Sequence, residues 1–316
     1  MACSAQPTVP PTGTPEAIAS PSPSPSPSPT PSPTPEPTIT PTIAPPTATP
    51  SATPISPTAN GVVNVPILYG HHVADVPPDV FTWSRQKVHD TLPYLLTPCE
   101  FAADLDWLSA NGYRTILPRD LTAYWDKGRP LPGRPIIITF DDGWADWVPT
   151  ILPMLQGHGF VAEFYVTVDH IGGAVSWADL RALVAAGMGI GAHDMNHIQL
   201  AGGGVTTASV EEMRYQVVQA RAVLRSNLGV PIDSMAYVGG GFDATLEQIV
   251  RDAGFSSARA ILRGVVQRPG SRYLLHVSRI GLYDDVLSQT VADAMACNLD
   301  PAMADFQARV TGTDPG

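Results

Sequence analysis

Pro135-Ile136-Ile137-Ile138-Thr139-Phe140 is an apolar run with no polar alternation. A strand of this kind must be buried on both faces. Parallel sheets covered by helices meet that demand, whereas a sheet with one wet face does not. The surrounding sequence supplies the partners. Residues 62–69 are β-rich and read as the first strand. Residues 100–111 carry Phe101, Leu105 and Leu108 at helical spacing, with Gly112 as the stop. Short strands are expected at 113–117, 161–166, 189–192, 234–238 and 256–262. Helices are expected at 147–157, 177–186, 209–227 and 244–253. Strands and helices alternating at short intervals predict an α/β fold with parallel strands, either a barrel or a doubly wound sheet. The region after Leu282 reads as a terminal helix without legible chemistry.

The first sixty residues are of another kind. They hold nineteen of the 34 prolines, with the repeat Pro21-Ser22-Pro23-Ser24 and only two charges, Glu16 and Glu36. Such a tract buries too little apolar surface to offset its ordering entropy. Residues 1–60 are therefore expected to be a disordered Pro/Ser/Thr-rich stalk, and 61–316 a catalytic domain. At about 3.1 Å per residue, fifty residues in polyproline II span on the order of 150 Å. Met1-Ala2-Cys3-Ser4 before this spacer resembles the start of a mature bacterial lipoprotein, although no charged and apolar leader precedes Cys3. The expected location is extracellular or in the cell envelope, with Cys3 the candidate lipid anchor on a membrane surface.

Charge narrows the partners. The chain has 18 basic and 29 acidic residues, a net charge of -11, which repels nucleic acid on average. No run reaches the roughly 18 apolar residues of a membrane-spanning helix. Three cysteines, Cys3, Cys99 and Cys297, make no disulfide framework and no close metal-ligand spacing. Cys99 and Cys297 are candidates to pair in an oxidising compartment.

In α/β folds functional groups gather at the carboxyl ends of strands. Thr139-Phe140-Asp141-Asp142-Gly143 follows the apolar run. Of two adjacent carboxylates, one can bind a cation while the other accepts a proton; the competing reading is a helix N-terminus capped by Asp. His193-Asp194-Met195-Asn196-His197 follows the 189–192 strand, and histidines four apart suit two ligands on one ion. Asp, His and His leave positions open for water and substrate, the plan of a catalytic divalent-metal site. Tyr237-Val238-Gly239-Gly240-Gly241-Phe242 offers backbone N–H groups for an oxyanion, or simply a flexible turn. His71-His72, beyond the first strand, offers a general acid. Trp144, Trp147, Trp177 and Tyr237 lie near these motifs. Trp144, Trp177 and Tyr237 are the candidate substrate contacts, set against ordinary packing roles.

In this order the clusters resemble the polysaccharide deacetylase family, the NodB-homology domain of carbohydrate esterase family 4, over residues 62–282. Val65-Pro66-Ile67-Leu68-Tyr69-Gly70-His71 and Ser278-Arg279-Ile280-Gly281 are similar to segments of its poly-N-acetylglucosamine deacetylase branch. The resemblance implies a distorted (β/α) barrel of about seven strands. It implies Asp141 as catalytic base, Asp142, His193 and His197 as ligands of a divalent metal, Zn²⁺ first, and His71 as general acid. It also implies Gly239 as oxyanion donor. His276, in Leu274-Leu275-His276, is the rival acid. The implied activity is removal of N-acetyl groups from an N-acetylglucosamine-containing polysaccharide. The alternatives are an O-acetyl esterase on a glycan such as xylan, or a non-catalytic glycan-binding module. Three departures stand out. Asp194 takes the place of Ser or Thr, which brings a third carboxylate towards the metal. The arginine that orients the base is missing. Gly239 replaces a tyrosine, which implies a looser loop.

Overall fold

A computed structural model describes residues 53–277, apart from a few positions between 78 and 93. Cys3, Cys297, the stalk up to residue 52, the segment 278–281 and the expected terminal helix lie outside the described residues.

The strands are β1 (Val63–Asn64), β2 (Ile67–Gly70), β3 (His72–Val73), β4 (Leu95–Leu96), β5 (Arg114–Thr115), β6 (Pro135–Phe140), β7 (Glu163–Val166), β8 (Gly189–Ala192), β9 (Ser234–Ala236), β10 (Ser257–Arg263), β11 (Val266–Gln267) and β12 (Leu275–Val277). The helices are α1 (Pro98–Ala110), α2 (Pro118–Lys127), α3 (Leu152–Gly157), α4 (Trp177–Ala185), α5 (Val210–Arg214), α6 (Ala220–Leu228) and α7 (Ala244–Asp252). A π turn over Trp147–Ile151 leads into α3, and another over Tyr215–Gln219 joins α5 to α6. The main sheet runs β12-β10-β9-β8-β7-β6-β2, with β5 paired to β6. Its ladders are parallel. The two end strands, β2 and β12, lie side by side. The result is a nearly closed, distorted (β/α) barrel of seven strands. The expected first strand is split at Pro66: β1 pairs antiparallel with β11, while β2 joins β6. A proline can donate no ladder hydrogen bond, so the break falls there.

Strand β6 occupies the expected residues and is buried throughout. Its alternation separates two cores. Ile136, Ile138 and Phe140 join the main cluster with Leu105, Trp147, Phe164 and Leu180. Ile137 joins a second cluster with Ile67, Tyr69, Leu275 and Val277, into which α2 inserts Leu121 and Tyr124. Helix α2 was not expected from the apolar pattern. Its signals are Pro118 at the first turn and a left-handed Gly128 at the end. Helix α1 opens with a capping box: Thr97 accepts from the Glu100 N–H, and the Glu100 carboxylate accepts from the Thr97 N–H. Packing of the body begins before residue 60, because Ile55 pairs with Leu131 and Ser56 O accepts from Tyr124 Oη.

Inside the sheet, β7 carries Glu163 and Tyr165 against a β8 that has no side chain to oppose them. A Cβ at Gly189 would overlap the Glu163 carboxylate, and one at Gly191 would lie 2.5 Å from the Tyr165 ring. Glu163 Oε1 accepts from Ser234 Oγ at 2.5 Å. Burial pushes the Glu163 carboxyl up to about 7, with Asp233 and Asp120 adding to the shift and Ser234 and Arg119 opposing it. A folded-state pKa above the unfolded value of 4.5 means stability that is complete below about pH 4.5 and is lost as pH rises through about 7. The full loss corresponds to roughly 3 kcal/mol. Replacing Glu163 by Gln keeps the shape and removes the ionisation. Thermal melts between about pH 4 and 9 are expected to show wild type falling relative to Glu163→Gln between about pH 4.5 and 7 and running parallel to it above that range; curves parallel throughout would refute the assignment.

Candidate metal centre and active site

Asp141 and Asp142 leave β6, His193 leaves β8 and His71 follows β2, all at the carboxyl ends of their strands. The chain is forced inwards here by unusual backbone. Among the described residues, four that are not glycine have positive φ: Arg134, Asp142 (80°), Asp194 (62°) and His197 (58°). Three of the four belong to this site. Each left-handed residue costs about 1–2 kcal/mol, so the local turns depend on hydrogen bonds that hold them. Asp142 O accepts from Thr167 N at 2.9 Å and His170 Nδ1 at 3.0 Å. Asp194 accepts from His197 N at 2.6 Å and Ile198 N at 2.9 Å. Gln216 Oε1 accepts from the N–H groups of Met195 and Asn196.

The sequence left open whether Asp194 acts as a ligand. Its two oxygens face the backbone N–H groups of the His197 turn, and it stands outside the close-lying donor set. It is a capping group for the turn that presents His197.

That donor set is Asp142, His193 and His197, whose ligand atoms lie within 4.8 Å of one another. Asp142 Oδ1 is 2.9 Å from His197 Nε2 and 3.4 Å from His193 Nε2. His193 Nδ1 lies 2.8 Å from Ala236 O, so it carries the hydrogen and donates it. In the neutral ring, Nε2 then turns a lone pair towards a carboxylate oxygen. Two acceptors facing each other at this range need a cation or a proton between them. Tetrahedral ligand bonds of about 2.0–2.1 Å separate ligand atoms by about 3.3 Å, so the spacing fits a divalent ion. Without one, protons take its place. Burial alone would raise the Asp142 carboxyl, yet the His193 and His197 imidazoles outweigh it and hold it far below the usual carboxylate range. Burial alone would lower His193, and Asp142 and Asp141 reverse that.

Asp141 is buried beside this set, 4 % exposed. Its Oδ2 is paired with the Arg259 guanidinium, while Oδ1 meets no hydrogen-bond partner among the described residues. Arg259 is 1 % exposed and lies 5.1 Å from the Tyr69 ring and 5.4 Å from the Tyr165 ring. The sequence reading took the arginine at the base to be missing. It is present, but on β10, well beyond the glycine loop. The available signal was a charge set between Ala258 and Ala260, which demands a partner once the strand is buried.

His71 shares this mouth. Burial lowers its pKa below the ordinary 6.5, only partly offset by the charges of Asp141 and Asp142. Its ring meets Tyr94 edge-on at 4.9 Å. His276 lies on β12, its backbone N–H donating to Gln267 Oε1 and its ring against Gly264. Gly239 has φ 60°, and its N–H meets no acceptor among the described residues. The N–H groups of Gly240 and Gly241 are used, donating to Tyr237 O at 2.9 Å and Val238 O at 3.2 Å. Of the aromatic candidates, Trp144 is partly buried and stacks on His72 at 3.7 Å, and Trp177 is partly buried. Trp147 and Tyr237 are buried in the main cluster and offer no face to solvent.

Residues 128–258 match the family model described as Polysaccharide deacetylase. The putative polysaccharide deacetylase YxkH of Bacillus subtilis (strain 168) is 21% identical over 183 residues, covering 57% of this chain and 64% of that protein. The poly-beta-1,6-N-acetyl-D-glucosamine N-deacetylase of Escherichia coli (strain K12) is 34% identical over 50 residues, 16% of this chain and 7% of that one. The chain therefore spans less than two thirds of the length of these curated relatives. Among solved structures, the Streptococcus pyogenes deacetylase PplD in complex with acetate superposes with a TM-score of 0.61 at 20% identity, covering 72% of this chain and 98% of that one. Residues 128–258 hold Asp141, Asp142, His193, His197 and Gly239 and are similar to the polysaccharide deacetylase family, and the solved neighbour shares the fold.

Proposed function

We propose that the chain is a metal-dependent hydrolase that removes N-acetyl groups from an N-acetylglucosamine-containing polysaccharide outside the cell or in its envelope. One observation carries this reading. Asp141 has one oxygen fixed by Arg259 and the other without a partner among the described residues, immediately beside the Asp142, His193 and His197 donor set. The short match to a poly-beta-1,6-N-acetyl-D-glucosamine N-deacetylase supports the substrate class. The residues before the packed Ile55 and Ser56 are the proposed spacer, and Cys3 the proposed lipid site.

Asp142, His193 and His197 would hold the ion, with Zn²⁺ the first choice and other borderline divalent ions acceptable to the same donors. When bound, it supplies Lewis acidity towards the acyl oxygen and the attacking water. The protein groups do the rest. Asp141 Oδ1 accepts a proton from water as it attacks the acetamide carbon. The Gly239 N–H donates to the oxyanion that develops. His71 delivers a proton to the nitrogen as the carbon–nitrogen bond breaks, because the amine is too basic to leave unprotonated. The products are acetate and an amino sugar. Since burial lowers the His71 pKa, the ring is mainly neutral at rest near pH 7, and the proton it delivers is one taken up during the cycle.

That lowered pKa also favours the second reading, an O-acetyl esterase, because an alkoxide leaves with less help from an acid. The two readings separate on one variant. His71→Ala is expected to cost an amide substrate at least tenfold more than an acetylated xylan, measured as the loss in kcat/KM on each; equal losses would remove His71 from the acid role.

Acetate release from N-acetylglucosamine oligomers by the Zn²⁺-loaded full chain tests the main reading. Asp141→Asn is expected to fall about 10²–10⁴-fold, the usual range for loss of a general base. Release by the variant equal to wild type, or none by wild type with metal bound, would overturn it; a glycan-binding module without catalysis gives the latter. Elemental analysis should find one divalent ion per chain, lost in His193→Ala and Asp142→Ala and retained in Asp194→Asn. Stoichiometric metal in the His193 variant would displace the site.

A further inference from the structure

The glycine loop expected to be loose is closely packed. Gly239–Gly241 follow β9, and Ala201–Gly204 follow β8. The two backbones abut: a Cβ at Gly241 would overlap the Ala201 carbonyl oxygen, and one at Gly202 would lie 2.9 Å from the Phe242 nitrogen. Only glycine fits such an approach. Between the two turns lies the side chain of Gln199. Its Nε2 donates to Gly202 O at 3.1 Å. A Cβ at Gly239 would lie 2.6 Å from Gln199 Oε1, one at Gly241 2.5 Å from Nε2, and one at Gly203 would overlap Nε2. A single carboxamide thus fills the volume that three missing side chains leave.

Its place in the chain matters as well. Gln199 comes two residues after His197, on the segment whose N–H groups Asp194 holds. Its far end touches Gly239, whose N–H meets no acceptor among the described residues. One short, well-anchored segment therefore connects a candidate metal ligand to the candidate oxyanion donor.

We propose that Gln199 is a positioning residue: its carboxamide wedges between the two glycine turns and sets where the Gly239 N–H points relative to His197. This inference rests on the deacetylase reading. The requirement for glutamine follows from length and polarity. Alanine removes the wedge. Asparagine is one methylene too short to reach both turns. Glutamate has the right shape, but a carboxylate oxygen in place of Nε2 faces the Gly202 carbonyl with no hydrogen to donate.

The test uses the Zn²⁺-loaded full chain on N-acetylglucosamine oligomers. Gln199→Ala is expected to lower kcat about tenfold to hundredfold, the scale of a misplaced catalytic group, with KM within about twofold and one ion per chain retained. Gly239→Ala keeps its N–H but collides with Oε1, so adding Gln199→Ala to it should recover part of the lost kcat rather than multiply the losses. A readout apart from turnover is the Gly239 amide in ¹⁵N-glycine-labelled protein: one sharp resonance in wild type, broadened or shifted in Gln199→Ala. Wild-type kcat and an unchanged Gly239 amide in Gln199→Ala would overturn the inference while leaving the deacetylase reading intact. So would losses that multiply in the double variant. A wild type no more active than Asp141→Asn would overturn both.

Discussion

A guanidinium buried inside a parallel barrel must be paired, and Arg259 is paired with Asp141. Taking both charges out of water costs several kcal/mol per ion, and the remaining faces of Arg259 are covered by the tyrosines of β2 and β7. The pair contributes little net stability on that account. What it does is orient. With Oδ2 committed, Asp141 can present only Oδ1 to the mouth of the barrel. Removing either partner would leave the other as an uncompensated buried charge, at a cost of about 3–5 kcal/mol. The geometry of the proposed base and the integrity of the barrel interior therefore depend on the same contact.

The neighbouring donor set shows how the barrel brings distant residues together. Strands β6 and β8 are separated by β7, so their ends stand roughly 10 Å apart. Side chains leaving both ends in ordinary extended geometry would not meet on one ion. The left-handed turns at Asp142, Asp194 and His197 fold the chain towards the gap above β7, and Thr167, at the end of β7, binds both sides: its N–H donates to Asp142 O and its hydroxyl to His193 O. Strain of this kind persists only where the surroundings over-determine it, and here the two carboxylate bonds of Asp194 and the Gln216 carboxamide do so.

Much of this was legible beforehand, for physical reasons. The residues of β6 announce a doubly buried strand, and Gly189–Ala192 announces another because its glycines and small residues leave no side chain to solvate. Asp-Asp after one and His-xxx-His after the other are local motifs at the carboxyl ends of strands one apart in the sheet, so their approach follows from the fold class. The β3–β4 pair was not legible, since two-residue strands have no period. Strand β12 was hidden because three residues after an irregular turn carry no distinctive pattern. Arg259 was hidden because a single charged residue in a strand reads as an exposed position until the barrel closes around it. Gln199 was hidden for a different reason: its partners are glycines, and the absence of side chains at 202–204 and 239–241 suggests flexibility unless the two turns are known to touch.

Arg259 and Gln199 illustrate one principle of how a site can keep its groups while its motifs change. The resemblance placed an arginine and a tyrosine on the loop after the 234–238 strand. Here that loop is glycine, and both contributions come from elsewhere. The charge against the base comes from the adjoining strand β10. The bulk against the proposed oxyanion loop comes from the turn after β8. Each relocation is sterically coupled to the loss it offsets. Without a Cβ at 239, there is room for the Gln199 carboxamide. With that carboxamide in place, no side chain can return to 239 without collision. A glycine loop that reads as degenerate along the sequence is thus one half of a packed arrangement, and its other half lies forty residues earlier in the chain.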